Sequence, residues 1–137
     1  MAGNLSPIFS KIGKIGQAPA ITLANTAKDG TGTVTTIFTA DATNGSYLQK
    51  IVVRPRGTNV ASVMRLFLNN GGVNTTAASN VLVAEISLPA TTNSEVAALA
   101  GSELPLNIPV PPGYRVLATL GTAVAGGYAV TAIGGDY

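Results

Sequence analysis

Whatever chemistry this chain does, it does without histidine and without cysteine, because the sequence contains neither. That removes the side chain that titrates unperturbed near neutral pH and the commonest metal ligand. It also removes thiolate metal sites, disulfides and a Cys nucleophile. The groups left to move a proton are six carboxylates (Asp29, Asp41, Glu85, Glu95, Glu103, Asp136), four lysines and four tyrosines, with Ser and Thr hydroxyls as nucleophiles. Catalysis needs such groups in mutual reach. Asp29 and Asp41 stand beside turn signals, where Asp caps backbone amides. Glu85 falls on the outward face of an alternating strand, and Glu95 is placed to favour a helix N-terminus. A glycosidase needs two carboxylates about 5–10 Å apart astride a sugar cleft, and a 137-residue sandwich leaves little room for one.

Phosphate and metal motifs are also missing. The sequence has no Gly-Lys-Ser/Thr phosphate loop and no Gly-x-Ser-x-Gly elbow. Gly30-Thr31-Gly32 is too short to cradle a phosphate, and no Asp-rich calcium loop occurs. Asn4-Leu5-Ser6, Asn44-Gly45-Ser46 and Asn74-Thr75-Thr76 match the glycosylation sequon, as chance allows in a chain rich in Asn and Thr. The expectation is therefore a non-enzymatic protein with no cofactor, no catalytic residue and no metal ligand.

Binding chemistry is limited too. The chain has four Tyr, three Phe and no Trp. Tyr47, Tyr114 and Tyr128 all open expected strands, where Tyr serves as a core-edge anchor with its hydroxyl in water. A sugar-stacking platform is the alternative use. Eight basic and six acidic residues give a net charge of +2, far below the usual share of charge. The basic residues are scattered, with Arg54 and Arg56 the densest pair, and no stripe interleaves with aromatics. Nucleic acid is not an expected partner. No apolar run approaches the roughly 18 residues of a membrane-spanning helix, and Lys11 and Lys14 follow Ile8 and Phe9 rather than preceding a long apolar stretch. Neither a membrane partner nor a Sec-type leader is expected. A neutral surface of Thr, Asn, Ser and Gly repels neighbours weakly and suits a protein packed against copies of itself or a larger assembly.

The elements behind this pattern are strands. Period-two alternation and β-branched residues predict strands at Ala20–Asn25, Thr33–Ala40, Tyr47–Arg56, Val60–Asn69, Val81–Leu88, Leu104–Val110, Tyr114–Leu120 and Tyr128–Ile133. Turn signals separate them, among them Lys28-Asp29-Gly30, Asn44-Gly45 and Pro111-Pro112-Gly113. Ser94 and Gly101 bracket a short helix within residues 90–102. The expected fold is all-β: a single β-sandwich of about eight antiparallel strands, of jelly-roll or Greek-key type. Small residues in the last two strands (Ala118, Ala129 and Ala132 among them) suit either a close subunit interface or a thin core. Residues 1–18 read as an N-terminal arm before a 19–137 sandwich domain, with Ile8, Phe9, Ile12 and Ile15 along one side of a short helix.

Six short stretches carry a family likeness. Thr35-Thr36-Ile37-Phe38-Thr39-Ala40, Gly57-Thr58-Asn59-Val60-Ala61, Arg65-Leu66-Phe67-Leu68-Asn69-Asn70-Gly71-Gly72, Glu103-Leu104-Pro105-Leu106-Asn107, Pro112-Gly113-Tyr114-Arg115-Val116 and Gly134-Gly135-Asp136-Tyr137 together span roughly four-fifths of the chain. From about Gly30 onward the sequence resembles small virion structural proteins of tailed bacteriophages, of the head-decoration or cement type. The resemblance implies a virion protein on the capsid surface, made in the host cytoplasm, that binds the major capsid protein lattice as a homotrimer. Backbone pairing at edge strands would help clamp adjacent capsomers. Capsid-contact candidates are Ile8, Phe9, Lys11, Ile12, Lys14 and Ile15. Alternatives are a tail, baseplate or head-fibre component reading host glycans, and a free-standing carbohydrate-binding module.

Overall fold

Period-two alternation becomes eight strands in the computed structural model, which describes residues 10–137. They are β1 (Ile12–Ile21), β2 (Thr35–Thr39), β3 (Ser46–Pro55), β4 (Ser62–Asn69), β5 (Asn80–Leu88), β6 (Ser102–Val110), β7 (Arg115–Leu120) and β8 (Tyr128–Asp136). Apart from one 3-10 turn at Ala77–Ser79, no helix is present among the described residues.

The strands form two four-stranded sheets, ordered β1-β8-β3-β6 and β2-β7-β4-β5, with every pairing antiparallel. First pairs with last, second with seventh, third with sixth and fourth with fifth. The chain is thus a long double ribbon, closed at β4–β5 and rolled over so that β3 also meets β8 and β4 also meets β7. This is the strand order of a jelly roll, and the sandwich expectation holds in that form.

Alternation decides which side chains meet between the sheets. Leu48, Ile51 and Val53 of β3, Val130 and Ala132 of β8, Met64 and Leu66 of β4, and Val116, Ala118 and Leu120 of β7 are all buried in one core. Ala118 and Ala132 therefore belong to the core, and their smallness serves sheet-to-sheet packing. A register shift at Gln49 keeps Leu48 and Ile51 on the same inner face although they are three residues apart.

The arm needs correcting. Residues from Ile12 to Ala18 are strand, paired with β8 from Ile12↔Asp136 to Ala18↔Val130. The helical spacing of Ile12 and Ile15 is coincidental; in the strand they take opposite faces. Gly16 carries the physical reason: a Cβ there would collide with the Ile37 carbonyl of β2. A glycine that counts against a helix is here the one residue that lets β1 lie against β2. Residues 1–9, with Ile8 and Phe9, lie outside the described residues.

The expected helix after Ser94 does not form. Ser94 Oγ accepts from the Val96 and Ala97 amides at 3.2 and 3.1 Å, as an N-cap does. Beyond this cap the chain only bends and continues as an exposed connection. Val96 is 97% exposed, so no apolar stripe exists to dock a helix on the sandwich.

Candidate functional site

The described polar residues gather at three places, and each gathering is consumed by the fold. One lies where β1 begins and β8 ends. Lys14 Nζ sits 3.1 Å from Asp136 Oδ1, and the Ser46 hydroxyl donates to the same oxygen. Ser46 Oγ in turn accepts from the Asp41 amide at 2.8 Å. The Lys14 ammonium also lies 5.4 Å from the centre of the Phe38 ring. The Ser46 hydrogen bond, with help from Lys14, holds the Asp136 carboxyl below the usual carboxylate range. Lysine, aspartate and serine together resemble the parts of a nucleophilic site. Ser46, however, is fully buried and spends its proton on an aspartate already neutralised by lysine. The trio ties β1, β3 and β8 together.

A second cluster crosses the outer face of the β2-β7-β4-β5 sheet. Asn80 Nδ2 donates to the Asp29 carbonyl at 3.1 Å and the Asn74 carbonyl at 2.9 Å, while its Oδ1 accepts from Asn69 Nδ2 at 2.7 Å. Asn69 Oδ1 receives Arg115 Nη2 at 2.9 Å. Asn74 Nδ2 donates to the carbonyls of Gly30 and Gly32 at 3.2 and 2.8 Å. These bonds strap the loops 22–34 and 70–79 over the sheet. Phe67 and Leu117 face each other on the outward side of β4 and β7, yet are 0% and 1% exposed. The sandwich thus buries two apolar side chains on its outward side, apart from the main core cluster.

The third cluster is built on Asn59. Its side chain accepts from the Gly127 amide at 2.9 Å and donates to the Gly127 carbonyl at 3.2 Å. Tyr128, next in sequence, is fully buried and its hydroxyl has no hydrogen-bond partner among the described residues. Burial raises the phenol pKa, with nearby Asn59 pulling the other way by less. The hydroxyl is not in water, contrary to the edge-anchor expectation. Tyr47 fits that expectation better: it is half-buried and donates to Asn107 Oδ1 at 2.8 Å.

Of the six carboxylates, Asp29 and Asp41 cap their own turns as expected, accepting from the amides of Thr31, and of Thr43 and Asn44. Glu85 is held by Arg65 Nε and Glu103 by Lys50 Nζ, both at 2.9 Å. Four of the eight basic groups are thereby engaged: Lys14, Lys50 and Arg65 on carboxylates, and Arg115 on Asn69 and the Gly72 carbonyl. Among the described residues no three acidic groups converge on a common point, and no helix is long and apolar enough to cross a membrane.

What remains is surface. Among the contact candidates, Ile12 and Ile15 are 66% and 64% exposed on β1. Lys11 begins the same edge, its amide bonded to the Asp136 carbonyl. Lys14 is committed inward. The larger apolar surface lies elsewhere, at a place the sequence pattern alone does not single out. Along the seam between β5 and β6, Ala84, Ile86, Leu104, Leu106 and Ile108 pack on the core but stay partly exposed. At the seam between β1 and β2, by contrast, Ala18, Ile21, Ile37 and Phe38 are sealed. Val81, Leu82 and Val83, consecutive on β5, are exposed. The signal lay in the sequence as a Val-Leu-Val run, but a register shift at Val83 breaks what read as clean alternation, and all three residues are exposed.

No protein-family model matches the sequence, and no curated protein matches it. Among solved structures, the chain is similar to a chain of the T13 particle of infectious bursal disease virus, with 15% identity over 98% of this chain and 35% of that one and a TM-score of 0.30. It is also similar to a chain in the structure of the Gx strain of that virus, with 16% identity, 98% and 34% coverage and a TM-score of 0.28. A mutant VP2 protein of the same virus, in derived T=1 particles, gives 16% identity, 96% and 36% coverage and a TM-score of 0.31. The chain spans about a third of the length of these solved chains. The jelly-roll assignment itself rests on the strand order of the two sheets.

Proposed function

We propose that this chain is a non-enzymatic virion structural protein that works by packing against neighbours, as a decoration or cement protein bound to the major capsid protein lattice. The observation that carries the reading is the asymmetry of the sandwich. One side is sealed, and the other leaves core side chains half-exposed beside a run of exposed apolar residues on an edge strand. Such a surface marks an interaction site. The sparse charge supports the same reading, since half the basic groups are already paired within the chain. On a lattice, weak contacts repeated over linked copies, for which a homotrimer is our choice, multiply into stable attachment.

The test is co-sedimentation of the purified chain with expanded phage heads that lack it. The expected result is saturable binding and a rise in the temperature at which the heads rupture. Absence of binding to heads, together with labelling of intact particles only at the tail, overturns the decoration role. The N-terminal contribution is tested by deleting residues 1–9 alone, because deleting 1–18 also removes most of β1 and with it a strand of the sandwich.

A further inference from the structure

Every open sheet has edges, and natural proteins blunt them with proline, lysine, short strands or cover. Among the described residues this sandwich has four edge strands: β1 and β6 in one sheet, β2 and β5 in the other. Three of them are blunted. β1 carries Pro19 and lies along β2. β2 is only five residues long. β6 has Pro105 and Pro109, whose nitrogens cannot donate. β5 differs from all three. It runs nine residues, Asn-Val-Leu-Val-Ala-Glu-Ile-Ser-Leu, with no proline and no lysine. Its inner edge pairs with β4, and among the described residues no strand pairs with its outer edge. It is bulged at Val83, and the apolar side chains there are exposed, Val81 at 60% and Leu82 and Val83 at 39% each.

We infer that the outer edge of β5 is an interface between two copies of this chain, paired antiparallel across a two-fold axis into a continuous eight-stranded sheet. The charge pattern of the edge selects a second copy as its occupant. A two-fold contact sets the same patch against itself, so a net charge on the edge faces a net charge of the same sign. β5 has a single charged residue, Glu85, and Arg65 of the same chain neutralises it at 2.9 Å. Everything else on the strand is apolar, Asn or Ser. The edge is thus self-complementary in charge and free of the residues that prevent self-pairing. Pairing would also cover Val81, Leu82 and Val83. The inference deepens the assembly reading by naming one contact surface, but it is tested on the isolated chain, so its failure and a failure of head binding are separate results.

The experiment is sedimentation equilibrium of the full chain from about 1 μM to about 1 mM, a range that brackets weak self-association. The mass of the smallest species is expected to double with concentration. Val83→Lys places a cation on both edges and is expected to weaken doubling by about tenfold or more. Val83→Thr, β-branched and uncharged, is expected to retain it. Circular dichroism and the melting temperature of both variants check that the sandwich is intact. No doubling across the range overturns the inference, as does doubling that Val83→Lys leaves untouched. Loss of doubling on removal of residues 1–9, with β5 unaltered, also overturns it, because the occupant of the edge would then be that segment.

Discussion

Lys14 and Asp136 stand 122 positions apart in sequence and 3.1 Å apart in space, and their contact fastens the first strand of the sandwich to the last. Both side chains are mostly shielded, at 28% and 20% exposed. Ser46 adds a hydrogen bond to the same carboxylate oxygen, so three strands converge on one atom. Asp136 is held below its ordinary value of 3.8 by these partners. A carboxyl whose folded pKa is depressed contributes stability that is present above the unfolded value and is lost as pH falls through the folded one. Urea midpoints measured from pH 7 downward should therefore fall below about pH 4. Asp136→Asn should lower stability by about 1–2 kcal/mol at pH 7 and flatten the acid limb. An acid limb unchanged in the variant would assign that limb to other carboxylates.

Gly16 and Gly13 lie on the same strand and predict opposite outcomes. A Cβ at Gly16 meets the Ile37 carbonyl, a backbone atom that cannot swing aside. A Cβ at Gly13 meets nothing within 4 Å. Gly16→Ala should cost about 2–3 kcal/mol or prevent folding. Gly13→Ala should be neutral or stabilise by up to about 1 kcal/mol, since glycine inside a strand is a conformational burden. Thermal melts of the two variants decide the matter; equal effects would mean that β1 does not approach β2 as described.

Asn80 pins the loop at Asp29 to the start of β5. Asn80→Ala removes its bonds to Asp29, Asn74 and Asn69 at once and leaves those partners unsatisfied. The expected loss is about 2–3 kcal/mol. A local readout accompanies it. Lys28 lies in the loop that Asn80 pins, so tryptic cleavage after Lys28 should accelerate in the variant before cleavage at core strands does. Retained resistance at Lys28 would show that the loop is held by other contacts.

The sequence disclosed the fold unevenly, for physical reasons. Seven of the eight strands stand within a few residues of where alternation and turn dipeptides place them, because those signals are local. Val81–Leu88 and β5 differ by one residue. β1 was concealed because Gly13 and Gly16 broke its alternation, and because the reason for Gly16 lies on another strand. The jelly-roll order itself depends on pairings such as β1 with β8, which no local signal encodes. The polar clusters were hidden in the same way. Asn69, Asn74 and Asn80 read as one polar loop, and only the fold reveals that their amides bridge to Asp29, Gly30 and Gly32. The capping roles of Asp29 and Asp41 were legible because a cap reaches only two or three residues.

Tyr128 supplies the last prediction. Its ring fills the core at 1% exposure, while its hydroxyl has no hydrogen-bond partner among the described residues. A buried polar group without a partner opposes folding, so removing only the oxygen should do no harm. Tyr128→Phe is expected to leave stability unchanged or raise it by up to about 1 kcal/mol. The alkaline limb gives a second measure. Burial raises the phenol pKa, so in the folded state the proton is retained where the unfolded chain has released it. Stability is therefore whole below the unfolded value near 10 and is lost as pH rises through the higher folded value. Tyr128→Phe should resist unfolding at high pH better than the parent chain. A variant that melts lower at pH 7 would show that the hydroxyl has a partner in solution, and the alkaline difference should then vanish with it.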